Sequence, residues 1–146
     1  MGIVEATYAE IKQQELKKNP YSCLSTADID VNPHQVEAFT FSLAAMKLGG
    51  AILADEVGLG KTIEAGLVLK YLLNSGSQKI LLVMPSNLRK QWQVELDEKF
   101  EVESIIVESG NWDEYKSYVK NENAVVIVSY NFASRRKSEF TKVLYF

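Results

Sequence analysis

The chain has 146 residues, which is enough for one compact domain with its own core and too few for two ordinary domains. Its 47% hydrophobic and 24% charged residues exclude global disorder, and its net charge of −3 argues against a surface dominated by nonspecific nucleic-acid binding. With one cysteine and one histidine, it has no internal disulfide and no Cys/His metal cluster.

The N-terminal segment is polar. It shows no secretory signal, and no run in the chain approaches membrane-spanning length, so we expect a cytoplasmic protein without a membrane partner. Residues 3–18 predict a helix that Asn19-Pro20 ends, and a polar linker follows. We therefore divide the chain into an N-terminal helix and linker, residues 1–31, and a second region, residues 32–146.

A helix is predicted to begin after Asn32. Asn32 is a good N-cap, Pro33 suits the first helical position, and apolar residues recur at helical spacing until Gly49-Gly50. Gln35 stands three residues after Asn32, where it can complete a capping box.

Short apolar runs then alternate with helical stretches. The runs are "AILAD", "KILLVMP", "ESIIVES" and "AVVIVSY", and the helices are predicted at Thr62–Ser75, Leu88–Phe100 and Trp112–Asn121. Continuous apolarity is typical of strands covered on both faces. The sequence therefore predicts an α/β fold, a parallel sheet with flanking helices.

The loop "EVGLGK" lies between a predicted strand and a predicted helix, as a phosphate-binding loop does. Gly58 and Gly60 permit positive φ and a close approach to an anion. Lys61 would contact the β- and γ-phosphates, and the Thr62 hydroxyl would bind Mg²⁺. The alternative is a glycine-rich turn that binds nothing, but Gly-x-Gly-Lys-Thr in this context favours a nucleotide. The candidate ATP-binding residues are Glu56, Val57, Gly58, Leu59, Gly60, Lys61 and Thr62.

The longer stretch "GGAILADEVGLGKTIEAGLVL" resembles the first motif of Swi/Snf-like ATPases in helicase superfamily two, most closely their bacterial branch. Asp55 replaces the first glycine of the general phosphate-loop pattern and fits this family. The resemblance implies a partial RecA-like P-loop NTPase domain that uses ATP and Mg²⁺. "NPHQ" resembles the family's upstream glutamine motif, which implies that Gln35 recognises adenine.

Two later segments also resemble family motifs. They are "LLVMPSNLRKQWQVEL" and "VVIVSYNFAS", and both face DNA in the family. The residues that this implies for nucleic-acid binding are Pro85, Ser86, Gln91, Ser129 and Tyr130. Competing interpretations are structural: Ser86 or Asn87 can cap a helix, and Trp92 can join the core with Leu88 and Leu96. The segment Ser134–Lys137 can contact DNA phosphates, but its charges favour a solvated helix face.

The 146 residues contain neither the acidic Asp-Glu-x-His motif nor the second RecA-like lobe that hydrolysis requires in this family. We therefore expect the chain to be the N-terminal part of a larger translocase. The full-length protein would be an ATP hydrolase acting on double-stranded DNA, and the isolated chain would be inactive. The alternatives are an RNA or single-strand helicase of the same superfamily and a non-catalytic nucleic-acid- or partner-binding fragment.

Overall fold

A computed structural model of the chain describes residues 19, 21, 30–54, 60–76, 79–121 and 123–143. It groups the chain into two compact units, residues 1–76 and residues 77–146, which are described separately. The predicted helix at 3–18 and loop residues 55–59 lie outside the described residues. The proposed boundary between residues 31 and 32 stays a prediction.

The first described helix of the first unit is α1, Pro33–Met46. Asn32 is the N-cap in extended conformation, Pro33 is the first helical residue, and the backbone turns to positive φ at Gly49 (111°). The sequence prediction for this helix is confirmed. Proline at the first position loses no hydrogen bond, and glycine accepts the left-handed conformation that follows a helix end.

The second helix of this unit, α2, spans Lys61–Asn74 and packs against α1. Phe39 of α1 is fully buried, and its ring lies edge-on to that of Tyr71 at 6.1 Å between centroids and to that of Tyr21 at 6.4 Å. Leu67 of α2 is also fully buried. The edge-on contact between Phe39 and Tyr71 joins the two helices.

The predicted strand "AILAD" is wrong for its first four residues, which are the ones that the structure describes. Residues 51–54 of "AILAD" form no strand, and the Ile52 side chain is 86% exposed. Two of these four residues, Ala51 and Ala54, have weak strand propensity, and a short apolar run becomes a strand only when a neighbouring strand pairs with it. Apolarity alone therefore did not determine the structure here.

The second unit contains a complete alternation of strands and helices. In chain order it comprises β1 (Lys79–Met84), α3 (Arg89–Phe100), β2 (Ile105–Ile106), a 3-10 turn (Ser109–Asn111), α4 (Trp112–Tyr118), β3 (Ala124–Ser129), α5 (Tyr130–Arg135) and α6 (Lys137–Phe140). The predicted strands and helices of this region are confirmed, although β2 is only two residues long and α4 ends before Asn121. The two short helices α5 and α6 were predicted only through the interpretation of Ser134–Lys137 as a helix face, without their bounds.

The sheet of this unit is parallel throughout, in the order β1-β3-β2. The chain crosses from β1 to the far edge through α3 and returns to the centre through α4. Right-handed connections that run in opposite directions place their helices on opposite faces of the sheet. The predicted fold class, a parallel sheet with flanking helices, is confirmed.

The core of the second unit is built on β3, whose first five residues are buried. Val126 and Val128 pack with Val107 and with an aromatic group on α4, α5 and α6. In that group the rings of Trp112 and Tyr115 stack at 4.6 Å. On α3, Leu96 and Phe100 are buried, whereas Leu88 and Trp92 are half-buried, so the predicted apolar face is confirmed for its second half.

The segment Ser134–Lys137 departs from its predicted solvated face at one position. Ser134, Arg135 and Lys137 are exposed, but the Arg136 guanidinium lies 4.6 Å from the centre of the Trp112 ring and pairs with Glu139 at 3.2 Å. A guanidinium is weakly hydrated and stacks well on an aromatic face. Arg136 therefore covers the core.

Candidate nucleotide and nucleic-acid sites

The start of α2 contains the glycine, lysine and threonine that were predicted to bind phosphate. Gly60 is the N-cap in a left-handed conformation, with φ 89° and ψ 38°, and Lys61 and Thr62 are the first two helical residues. The Gly60 carbonyl accepts hydrogen bonds from the N–H groups of Ile63 (2.8 Å) and Glu64 (3.2 Å). A residue with a Cβ would be strained in this conformation, so glycine is required here.

Gln35 lies against this turn. Its side chain is buried, and its Nε2 sits so close to Gly60 that a Cβ added to Gly60 would overlap it. Its Oε1 accepts a hydrogen bond of 3.0 Å from the backbone N–H of Asn32. Gln35 therefore makes both contacts at once: its oxygen accepts from the backbone N–H at the α1 N-terminus, and its amide nitrogen contacts Gly60 of the predicted phosphate loop.

Glu64, which the sequence reasoning did not select, is fully buried in the first turn of α2. Burial of a carboxylate is costly, and buried ionisable groups are concentrated at functional sites. The signal was present in the sequence, because Glu64 is the one charged residue in the otherwise apolar stretch of residues 63–69. Asp55, Glu56, Val57, Gly58 and Leu59 lie outside the described residues, and their roles stay predictions.

A second group of predicted residues lies at the carboxyl edge of the sheet in the second unit. Met84 pairs with Ser129 in the β1–β3 register, so Pro85 and Tyr130 leave adjacent strands at the same edge. Pro85 and Ser86 are exposed, and Tyr130 is 59% exposed. The Ser129 hydroxyl accepts a 3.2 Å hydrogen bond from Phe132 N–H and caps α5. Four of the five residues predicted to bind nucleic acid thus come together at one edge, where ligands of parallel sheets usually bind.

The fifth residue, Gln91, lies in the first turn of α3. Its Nε2 donates to Glu95 Oε1 at 2.9 Å, and Lys99 pairs with the same carboxylate at 3.0 Å. Burial raises the pKa of Glu95, but the hydrogen bonds from Gln91 and Lys99 outweigh it and leave the pKa below its usual value. Gln91 is therefore exposed but held along its own helix.

The capping alternative for Ser86 and Asn87 is wrong. The N-cap of α3 is Leu88, and it makes no side-chain cap bond. Instead, the Ser86 carbonyl accepts a 3.2 Å hydrogen bond from Arg89 Nε. The Pro85–Leu88 turn carries the chain into α3 through backbone contacts, among them a 3.1 Å bond from Leu88 N–H to the Pro85 carbonyl.

Two other features are absent from the described part of the chain. Within it, no group of three or more His, Cys, Asp or Glu is arranged to hold a metal ion. Across the same residues, every helix is too short or too polar to cross a membrane.

Comparison with known proteins agrees with the motifs. Residues 34–145 match the family model of the SNF2-related domain. The chain is 43% identical over 104 residues to a Bacillus subtilis (strain 168) protein described as the uncharacterized ATP-dependent helicase YqhH. That alignment covers 70% of this chain and 17% of the relative, so the chain spans a small part of the relative's length. The match over most of the chain shows that it belongs to the SNF2-related family, as its resemblance to Swi/Snf-like ATPases indicated.

Proposed function

We propose that the chain is the ATP-binding part of a DNA-dependent ATPase that translocates along duplex DNA and remodels protein–DNA complexes. The family membership supports an ATP-dependent, helicase-like protein. The observation that carries the proposal is the contact of Gln35 Nε2 with Gly60, directly before Lys61 and Thr62. It joins the predicted adenine-recognising residue to the predicted phosphate loop.

The residues at this turn suit a magnesium triphosphate. Successive N–H groups at the start of a 14-residue helix attract anions, and Gly60 leaves room for close approach of the backbone. In the proposal, Lys61 neutralises the β- and γ-phosphates, Thr62 binds Mg²⁺ through its hydroxyl, and Gln35 recognises adenine. Glu56, Val57, Gly58 and Leu59 complete the loop. Bound ATP would supply the phosphoryl group whose transfer to water drives the motor.

The carboxyl edge of the sheet is proposed to hold the DNA backbone. Exposed Pro85, Ser86 and Tyr130 lie there together with Ser129, and Gln91 follows on α3. Hydroxyl and backbone groups of this kind position a duplex without reading its sequence. A protein that works on DNA in this way is expected in the cytoplasm.

Substitution of Lys61 by Ala tests the nucleotide site. Because the lysine would make a charge-assisted contact with phosphate, we expect the substitution to cost about 2 kcal/mol or more in ATP affinity, roughly 30-fold. Equilibrium titration of the 146-residue chain with ATP and Mg²⁺ measures it. The control is Lys47→Ala, which removes the same charge from an exposed site at the end of α1. Equal affinities for the parent chain and Lys61→Ala would refute the site and favour a non-catalytic binding module.

The hydrolytic part of the proposal has its own test. Because this chain lacks the acidic motif and the arginine of a second lobe, we expect it to bind ATP weakly and to release negligible phosphate. Steady phosphate release by the pure chain at ordinary helicase rates would contradict this. For the full-length protein, duplex DNA should stimulate hydrolysis more than RNA or single-stranded DNA. Stronger stimulation by RNA or by single strands would support the alternative helicase.

A further inference from the structure

Beside the predicted nucleic-acid residues, the second unit contains a groove of about 280 Å³. Its walls come from the start of α3, from the segment after β2 and from α5. The lining includes two cations, Arg89 and Arg135, together with Ser109, Gly110 and Ser129. All three segments meet at the carboxyl edge of the sheet, so the groove is continuous with the surface proposed to face DNA.

Arg89 is held in a fixed position in this groove. Its side chain is only 17% exposed, its Nε donates to the Ser86 carbonyl at 3.2 Å, and its Nη2 lies 2.9 Å from Glu108 Oε1. A guanidinium held in this way is preorganised for an anion, because little side-chain entropy is lost when the anion binds.

Glu108, the other member of the pair, is 60% exposed. The backbone around it is held by different groups: Glu108 N–H donates to Asn111 Oδ1 at 2.8 Å, and Asn111 Nδ2 donates to the Ile106 carbonyl at 2.8 Å. The Glu108 side chain also faces the Asn111 backbone N–H in the capping box of this turn. The two Asn111 side-chain bonds do not involve the carboxylate, so they can hold the segment after β2 when the carboxylate leaves Arg89.

We infer that the Glu108 carboxylate occupies the position of a nucleic-acid phosphate at Arg89, and that a phosphodiester displaces it when the duplex docks. Carboxylate and phosphate oxygens present similar acceptor geometry to a guanidinium, which makes one a stand-in for the other. The lining carries one net positive charge while Glu108 is in place and two once it swings out. This inference rests on the proposed function, because the proposed function identifies nucleic acid as the partner.

The expected effect is modest. Arg89 is largely buried, but the Glu108 carboxylate is exposed and water screens its attraction to the guanidinium, so Glu108 competes with a phosphate and does not exclude it. Removing its charge should strengthen duplex binding about two- to fivefold, the factor that a typical exposed pair supports. Glu108 would thus reduce the binding of small anions to Arg89, whereas a DNA backbone, which makes several contacts at once, would displace the Glu108 carboxylate.

The test is a titration of a labelled duplex oligonucleotide with the 146-residue chain, followed by fluorescence anisotropy at physiological salt and without nucleotide. The variants are Glu108→Gln, Arg89→Ala and the pair combined. Glu98→Gln on α3 is the matched control, since it makes the same charge change at an exposed site nine residues from Arg89. Nine helical residues span roughly 14 Å, well beyond the Debye length of about 8 Å at physiological salt.

Glu108→Gln should bind two- to fivefold tighter than the parent chain, Glu98→Gln should match the parent, and Glu108→Gln should give no gain in the Arg89→Ala background. An equal gain from Glu98→Gln, a gain that persists without Arg89, or no duplex binding by any variant overturns the inference. So does full competition by micromolar inorganic phosphate, which would make the groove a site for free phosphate.

This outcome is separable from that of the proposed function, because the titration contains no ATP. If duplex stimulates hydrolysis by the full-length protein but Glu108→Gln has no effect, only the groove assignment fails. If duplex does not stimulate hydrolysis but Glu108→Gln still binds duplex more tightly, the proposed DNA-dependent ATPase is contradicted and the assignment of the groove is supported.

Discussion

The pair of helices in the first unit buries polar groups, whereas the sheet in the second unit buries hydrocarbon. Among the described residues, the buried polar or charged side chains are Gln35, Ser42 and Glu64, and all three belong to α1 and α2. In the sheet unit, β3 contributes consecutive buried valines and an isoleucine, and aromatic rings complete the core. Buried polar groups cost stability unless they are compensated. Gln35 contacts Gly60, Glu64 N–H bonds to the Gly60 carbonyl, and Ser42 bonds to the Ala38 carbonyl within α1, so two of the three buried polar residues lie at the turn proposed to bind nucleotide. The sheet unit, in contrast, is a scaffold with its polar groups at the rim.

Among the substitutions that test this comparison of the two units, the largest loss of stability is expected in the aromatic core of the second unit. Phe140 is buried against Trp112, Tyr115 and Phe132, so Phe140→Ala should lower stability by about 3–5 kcal/mol. Hydrogen exchange of the β3 amides measures the loss locally, and Phe140→Leu should give a smaller loss if the alanine variant does not fold. Phe41→Ala, at an exposed phenylalanine of α1, should have little effect. Equal effects of the two alanine substitutions would contradict the assigned core.

In the first unit, Gly60→Ala tests the contact between the loop and Gln35. Positive φ alone costs alanine about 1 kcal/mol, and displacement of the Gln35 amide should bring the total to about 1–3 kcal/mol. Chemical denaturation measures it. Gly49→Ala is the control, because Gly49 has φ 111° with no atom within 4 Å of the added Cβ. Gly60→Ala should lower the free energy of unfolding more than Gly49→Ala does, and this difference should shrink when Gln35 is also replaced by alanine. A difference that stays the same in the Gln35→Ala background would argue against the contact.

Removal of the Tyr118 hydroxyl, at the edge of the core of the second unit, should have an intermediate effect on stability. Tyr118 donates to the Glu103 carbonyl and accepts from Val125 N–H, both at 3.3 Å, so Tyr118→Phe should cost about 1 kcal/mol. Tyr130→Phe, at an exposed ring, should cost little. If Tyr130→Phe costs as much as Tyr118→Phe, these bonds do not contribute to stability.

The same hydroxyl predicts a pH dependence. Burial, aided by the charge of Glu103 and opposed by the Val125 bond, raises the pKa of Tyr118 above its ordinary 10.0. The folded state then holds the proton more tightly than the unfolded state. Its stabilising contribution is complete below pH 10 and is lost as the pH rises through the folded pKa. Denaturation measured on either side of pH 10 should show this loss in the parent chain and not in Tyr118→Phe.

The smallest expected effect concerns the surface of α3. Glu95→Gln should cost about 0.3–0.5 kcal/mol at pH 7, because it removes the charge that Gln91 and Lys99 stabilise. Since the pKa of Glu95 is lowered, this contribution is present above the unfolded value of 4.5 and disappears as the pH falls below it through the folded pKa. Denaturation at pH 7 and near pH 3 measures the difference. Glu98→Gln, which leaves Glu95 and both of its partners in place, should lose this contribution over the same pH range as the parent chain.

Part of the candidate site was predictable because its signals are local. The order Gly60-Lys61-Thr62 at a helix start and the position of Gln35 after Asn32 are readable from neighbouring residues. The pairing of Arg89 with Glu108 was not readable, because the two residues are 19 positions apart and meet only through the packing of separate elements. Glu64 was missed for a related reason, because its importance comes from the burial around it. Arg135 was considered only as one of four residues, Ser134–Lys137, that can contact DNA phosphates, and its place in the groove came from the tertiary structure.

The sequence by itself determined the helices α1 to α4, the strands β1 and β3, and the family. Caps, apolar spacing and a phosphate-loop motif act over a few residues, so they can be read without knowing the fold. Only the tertiary structure decided the strand order β1-β3-β2, the unpaired state of residues 51–54, and the contact between Gln35 and Gly60. Each depends on which distant segments become neighbours, and that choice is made by burial and hydrogen bonding across the whole unit.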